Sequence, residues 1–300
     1  MYTMGEQKIV VITGCSSGIG LATAVLLAKT EGFKVIATVR NLQKRESLDR
    51  AAGESLNKSL FIKELDVSKE DSILKFVERA YFEDGRIDVL INNAATSHFG
   101  AFETFTMEQM HSLFQTNVFG TARLTQEVVR KMKIQRNGHI IFISSSSGFS
   151  PCPFMDFYVA SKYAIEGLVG SLAPVLHPFN ISVTSVQPGP VYTPLSQSIV
   201  RNEMGKFGMS RELPGMSHED QELDKMTAAM KANFLKKMKE HFSTDIAQSA
   251  EEVAIVIKKC IEEVKPQILV QTSVTTTKLA RMALTDPTGA KTMERLISLL

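Results

Sequence analysis

Short β-branched runs recur along the chain, each followed by a helix-spaced segment, and this alternation constrains the fold more than any other feature. KIVVIT (8–13), FKVIATVR (33–40), LFIKELDV (60–67), IDVLINNAA (87–95), GHIIFISSSS (138–147) and ISVTSVQPG (181–189) read as strands. Helices are expected over 18–30, around 69–82, over 107–133 and from Phe157 to about His177. Continuous apolar strands alternating with helices imply βαβ units and a parallel sheet buried on both faces. Right-handed crossovers then place helices on both sides of the sheet. In such an α/β fold ligands bind beyond the carboxyl ends of the strands, near the point where strand order reverses.

After Gly189 the pattern changes. Residues 196–242 are polar and methionine-rich, with helical spacing from Leu223 to Phe242. A further helix over 249–264 precedes PQILVQT (266–272), which reads as a last strand. No Pro/Gly/Ser-rich linker or internal repeat divides the 300 residues, so a single domain over 1–300 is expected: a core at 8–195, a helical insertion at 196–245 and a C-terminal completion at 246–300. The composition, 44% hydrophobic and 22% charged, suits a globular core. The 34 basic and 32 acidic residues nearly balance, which disfavours a nucleic-acid partner gripped through its phosphates. Three scattered cysteines, Cys15, Cys152 and Cys260, make no disulfide framework or metal-ligand spacing, and no metal is expected. No leader or spanning segment is read at the N-terminus, so the expected location is cytoplasmic.

TGCSSGIG (13–20) follows the first strand and opens the first helix. Glycines at 14, 18 and 20 let the backbone turn sharply and approach a pyrophosphate, while the helix N-terminus offers free N–H groups and partial positive charge. An acid at the end of the second strand would accept from the ribose 2′-OH of NAD. This chain has Val39 and Arg40 there, and Arg40 with the Ser17 hydroxyl can pair with a 2′-phosphate, which points to NADP(H). Asp66, after the third strand, could hold an adenine amino group or serve as a helix cap.

Four residues suggest the reacting end. Tyr158 and Lys162 share one helix face, a turn apart; Ser145 precedes Tyr158 by thirteen residues; Asn117, within LFQTNVFG, interrupts the long preceding helix. An ammonium beside a tyrosine favours the phenolate and lowers its pKa, suiting it to exchange a proton with a carbonyl or alcohol. A serine hydroxyl can bond the substrate oxygen as its charge changes. The asparagine could hold a water linking the lysine to solvent.

In combination these residues resemble the short-chain dehydrogenase/reductase family, single-domain NAD(P)-dependent oxidoreductases with a Rossmann-type, doubly wound parallel sheet. The matching elements are Thr13-Gly14-x-x-x-Gly18-x-Gly20, Asp66, Asn92-Asn93-Ala94, Asn117, Ser145, Tyr158-x-x-x-Lys162 and Pro188-Gly189. The resemblance implies Asn117, Ser145, Tyr158 and Lys162 as catalytic residues. It implies cofactor contacts at Thr13, Gly14, Ser16, Ser17, Gly18, Ile19, Gly20, Arg40, Asp66, Val67, Asn93, Ala94, Tyr158, Lys162, Pro188, Gly189, Val191 and Thr193. RLTQEV, GHIIFISS, ASKYAIEGL, PGPV and the late DPTG resemble a subgroup of retinol dehydrogenases and estradiol 17β-dehydrogenases that prefer NADP(H). An apolar carbonyl substrate, retinoid or steroid, follows from that likeness. A dinucleotide-sensing regulatory protein without turnover is the alternative, opposed by the joint presence of all four catalytic types.

Two positions depart from the pattern: Ala95 stands where the family has Gly, and Pro174 falls in the Tyr158 helix, where a kink is expected. That helix commonly forms the family's dimer interface, so a homodimer is implied while its geometry stays open. The family's cysteine-bearing tail for lipidation has no counterpart in LISLL, and strong membrane anchoring is not expected. Met226, Met230, Phe234 and Met238 recur at four-residue spacing beside lysines. They fit a helix packed on the domain, a substrate lid, or a peripheral membrane contact. Ser145, Phe149, Met155 and Tyr158 are the expected substrate contacts.

Overall fold

The computed structural model describes residues 7–197, 218–243 and 247–300. Its strands are β1 (Lys8–Ile12), β2 (Phe33–Val39), β3 (Leu60–Glu64), β4 (Val89–Asn92), β5 (Gly138–Ile143), β6 (Ile181–Gln187) and β7 (Leu269–Gln271). They form one all-parallel sheet in the order β3-β2-β1-β4-β5-β6-β7. The chain winds outward from β1 to β3, then returns to β4 on the other side of β1. Order therefore reverses between β1 and β4, where Ile12 pairs with both Ala37 and Ile91.

The helices are α1 (Gly18–Ala28), α2 (Glu46–Ala52), α3 (Glu70–Asp84), α4 (Met107–Phe114), α5 (Thr121–Gln135), α6 (Asp156–Leu176), α7 (His218–Ser243), α8 (Ala250–Glu262), α9 (Val274–Leu284) and α10 (Ala290–Ile297). Alternate strand residues feed two cores. Val10 and Ile12 face one core with α1 and α8 residues such as Leu27 and Ile257. Ile9 and Val11 face the other with Phe76 of α3, Leu124 of α5 and Val169 of α6. Two buried faces explain why the strands read as continuous apolar runs.

The expected helix over 107–133 is two helices joined by a π-helical segment, Gln115–Gly120. Two contacts account for the wider turn: Asn117 is held by the backbone of Thr96, and Gly120 lies so close to the Val67 carbonyl that a Cβ would sit 1.9 Å from it. Such bulges occur often at functional sites. Pro174 does not break α6; it falls in the last turn, and the helix ends two residues later. α2, α9 and α10 had no clear sequence signal. Within the expected insertion, α7 packs on the domain through buried Phe234 and Leu235, while 198–217 and 244–246 lie outside the described residues.

Candidate active site

The ends of β1 and β4 are bolted together. The Thr13 hydroxyl accepts from the backbone N–H groups of Asn93 and Ala94, both at 2.9 Å. In return Asn93 Nδ2 donates to the carbonyls of Thr13 (2.8 Å) and Gly14 (3.1 Å). Gly14 has φ +71° with Ala94 Cα 2.9 Å from the place of a Cβ, so only glycine fits. At Gly20 a Cβ would meet Asn93 Nδ2 at 2.4 Å and the Gly14 carbonyl at 2.5 Å. The Ser17 side chain leaves the first amides of α1 uncapped. The loop thus presents backbone amides to a cleft. Ala95 has no positive φ, so its extra methyl brings no backbone strain.

That cleft, about 370 Å³, lies beyond the strand ends at the reversal point. Of the expected cofactor residues, Gly14, Ser16, Ser17, Gly18, Ile19, Arg40, Asp66, Val67, Asn93, Ala94, Tyr158, Lys162 and Thr193 line it. Thr13, Gly20, Pro188, Gly189 and Val191 stand outside the lining; Thr13 and Gly20 brace the loop, and Val191 is buried beside the Gln248 bridge. Arg40 is exposed at the end of β2 and makes no ion pair with any described residue. Asp66 both lines the cleft and organises its own turn, its Oδ1 accepting from the Ser68 N–H (3.0 Å) and hydroxyl (2.6 Å). Leu65, Ala95, Thr96, Thr116, Ile143, Ser144 and Leu195 also line the cleft and were not anticipated. Their residue types carry no signature, except that Ser144 belongs to the serine run; its buried hydroxyl has no partner.

At the cleft's inner end, α6 and the loop after β5 bring Ser145, Tyr158 and Lys162 together. The Ser145 hydroxyl accepts from the Ser147 N–H at 3.1 Å and lies close enough to the Tyr158 phenol to favour its ionised form. Buried Lys162 donates to the Ile143 carbonyl at 2.8 Å, with Nζ 5.5 Å from the Tyr158 ring centre. Burial is the dominant influence on both. It pushes the Tyr158 phenol up to about 12, with Ser145 pulling the other way. Burial also pulls Lys162 down to about 8, partly offset by Glu166. Burial thus dominates the phenol in the chain alone, whereas the expected lowering draws on Lys162 together with an oxidised nicotinamide cation. The Asn117 side chain is committed to Thr96, by N–H···Oδ1 at 2.8 Å and Nδ2 to carbonyl at 2.9 Å, and to the Ser161 hydroxyl at 3.1 Å. It fixes the loop after β4 to α6.

On its other side, the Tyr158 ring packs against an apolar cluster. Phe99, Met155, Phe234 and Leu235 are buried there, with Cys152, Phe154, Met238, Leu299 and Leu300 against them. The rings of Phe99, Phe154 and Phe234 lie 5.8–6.0 Å apart. Phe154 has φ +62°, a strained conformation for so bulky a residue, stabilised by its carbonyl accepting from the Gly100 N–H at 3.0 Å. Met155 stands where expected. Phe149 does not join the cluster; it terminates the short 3-10 turn Ser146–Gly148, which directs it elsewhere. Phe99, Leu235, Leu299 and Leu300 were not legible as members, since they come from three separate parts of the chain.

Comparison with known proteins agrees with this geometry. The family described as short chain dehydrogenase matches residues 8–204. Retinol dehydrogenase 8 of Bos taurus is 35% identical over 285 residues, covering 94% of this chain and 87% of that protein. The 17-beta-hydroxysteroid dehydrogenase type 1 of Homo sapiens is also 35% identical, over 288 residues, covering 95% and 83%. Among solved structures, a short-chain dehydrogenase from Streptomyces avermitilis superposes with a TM-score of 0.74 at 26% identity, covering 97% of this chain and 98% of that one. Among the described residues, no helix is long and apolar enough to cross a membrane.

Proposed function

The chain belongs to the short-chain dehydrogenase family, and from that premise we propose that it interconverts an apolar carbonyl and its alcohol using NADP(H), with all-trans-retinal and all-trans-retinol as the first candidate pair. The observation that carries this reading is the position of Tyr158, whose phenol edges the cleft on one side while its ring meets the apolar cluster on the other. The lining fits a dinucleotide. Gly14 and Gly20 leave a cradle that a Cβ would fill, and Arg40, which pairs with no carboxylate among the described residues, lines the cleft at the end of β2 and supports a 2′-phosphate there. When bound, the nicotinamide supplies or accepts the hydride.

The chain's own residues handle the proton. Burial keeps Tyr158 protonated, the form needed to donate to a carbonyl oxygen during reduction. Ser145, close to the phenol, can hold that same oxygen as negative charge develops on it. Lys162, fixed by the Ile143 carbonyl, offsets the phenolate left behind and can hold ribose hydroxyls. Asn117 is a positioning residue for this group. A homodimer through α6 belongs to the same reading, supported by Tyr163 and Val175 exposed on that helix.

A steroid 17-ketone is the second candidate, favoured by the equal identity to the hydroxysteroid dehydrogenase. The test is NADPH oxidation against all-trans-retinal, estrone and medium-chain aldehydes. Turnover of at least one is expected. NADPH binding without oxidation by any carbonyl would overturn the enzymatic reading in favour of a cofactor sensor.

A further inference from the structure

Arg295 on α10 reaches back to the loop between Ser145 and Tyr158. Its Nη2 donates to the hydroxyl of buried Ser150 at 2.8 Å, while its Nε is buried with no partner. Among the described residues no carboxylate pairs with it. Burial works against its charge, and the neighbouring thiol of Cys152 is itself pushed up to about 12, so it is neutral and no counter-ion. Asp156 is close enough to influence Cys152 but forms no ion pair with Arg295. Cys152 packs with Phe154, Met155 and the Tyr158 ring. The guanidinium therefore stands beside Cys152, a loop residue that packs in the same apolar cluster as Tyr158.

A partly buried cation with one neutral acceptor and one orphaned donor is unfavourable unless an acceptor arrives from outside. A clamp holding α10 to the loop would need only the Ser150 bond and would leave Nε unexplained. We propose that Arg295 binds a second oxygen function of the substrate, and that the preferred substrate is an apolar carbonyl compound carrying a carboxylate remote from the reacting carbon. A guanidinium fork matches a carboxylate in two parallel hydrogen bonds, and the surrounding wall takes the hydrocarbon between the two ends. This inference rests on the carbonyl-reducing reading but not on the carbon skeleton. Retinal offers Arg295 no second oxygen, and estrone offers a neutral hydroxyl.

The experiment compares a series of ω-oxo fatty acids with their methyl esters, alongside retinal and estrone, in the wild type, Arg295→Leu and Arg295→Lys. In the wild type at the best chain length, kcat/KM for the acid should exceed that for the ester roughly ten- to hundredfold, the range of a charge-assisted pair. Arg295→Leu should bring the acid down to the level of the ester, and Arg295→Lys should restore part of the difference. Equal acid and ester rates in the wild type would overturn the proposal. So would a parallel fall of both in Arg295→Leu, which marks a structural clamp. If no carbonyl oxidises NADPH, the enzymatic reading fails separately. The shift in thermal midpoint with NADPH present then decides: a larger shift with acid than ester, lost in Arg295→Leu, supports Arg295 as the anion site, and equal shifts overturn it.

Discussion

The two sides of Tyr158 are built on different principles. Toward the cofactor, the cleft is a backbone surface: glycines, uncapped amides and an Asn93–Thr13 lattice in which nearly every polar atom has an assigned partner. On the proposed substrate side, the wall is a set of side chains, three phenylalanines with Leu235, Met155, Met238, Leu299 and Leu300, drawn from β4–α4, the Ser145–Tyr158 loop, α7 and the C-terminal turn. Recognition through backbone tolerates little variation, because a methyl in the wrong place collides. Recognition through apolar packing accepts many residue combinations of the right volume. One side therefore fixes the chemistry and the other is free to change the substrate.

The largest expected effect tests the residue between the sides. Tyr158→Phe removes the proton donor but keeps the ring that packs on the cluster, so kcat should fall about 10²–10⁴-fold while NADPH affinity is retained. Rapid-mixing turnover and cofactor titration check both halves of that statement. Turnover near the wild-type level would mean the proton comes from elsewhere. Next is Gly20→Ala, which breaks the backbone side alone. Its Cβ would lie 2.5 Å from the Gly14 carbonyl, so the loop must shift, at about 1–3 kcal/mol. Thermal unfolding and NADPH affinity should both worsen. A variant with unchanged cofactor affinity would show the lattice to be less rigid than it looks.

The same contrast decides what the sequence discloses. The alternating strands and helices were legible because the central strands are buried on both faces, and β1 to β7 fall where their apolar runs predicted. Gly14, Gly18, Tyr158 and Lys162 were legible because their chemistry demands fixed types at fixed spacing. Thr96, Thr116 and Ile143 line the cleft through positions any small or apolar residue could fill, so nothing marked them. Leu299 and Leu300 reach the Tyr158 cluster from the far end of the chain, a contact only the fold reveals. The interruption at Asn117 was legible, but its π form was hidden for a related reason: a bond to Thr96 on a distant loop leaves no local trace.

A smaller effect sharpens the cofactor side. Arg40 is exposed and pairs with no carboxylate among the described residues, so its charge is available to a 2′-phosphate but screened by solvent. Arg40→Asp should lower the NADPH/NADH ratio of kcat/KM roughly ten- to hundredfold, by removing an attraction and adding a repulsion. An unchanged ratio would assign the 2′-phosphate, if any, to other groups.

The smallest effect asks to which side Lys162 belongs before any ligand arrives. Its folded pKa is about 8, below the ordinary 10.5, because burial penalises the ammonium. Below about 8 both folded and unfolded chains carry the proton, and folding bears the full desolvation penalty. Between about 8 and 10.5 the folded chain releases the proton while the unfolded chain keeps it. The unfolded state then binds more protons, so this group makes stability rise with pH across that window. Tyr158, raised from 10.0 to about 12, acts oppositely only above 10.0. The usable window is thus about 8 to 10. The cofactor-free wild type should gain stability relative to Lys162→Met as pH rises through it, measured by denaturant unfolding at several pH values. With NADPH bound, phosphates and ribose hydroxyls favour the ammonium, and the relative gain should shrink. A flat difference in the free protein would mean that Glu166 and the Ile143 carbonyl already compensate the charge, placing Lys162 with the preassembled lattice. A rise that disappears on cofactor binding would mean that the ligand completes a site the fold leaves one charge short.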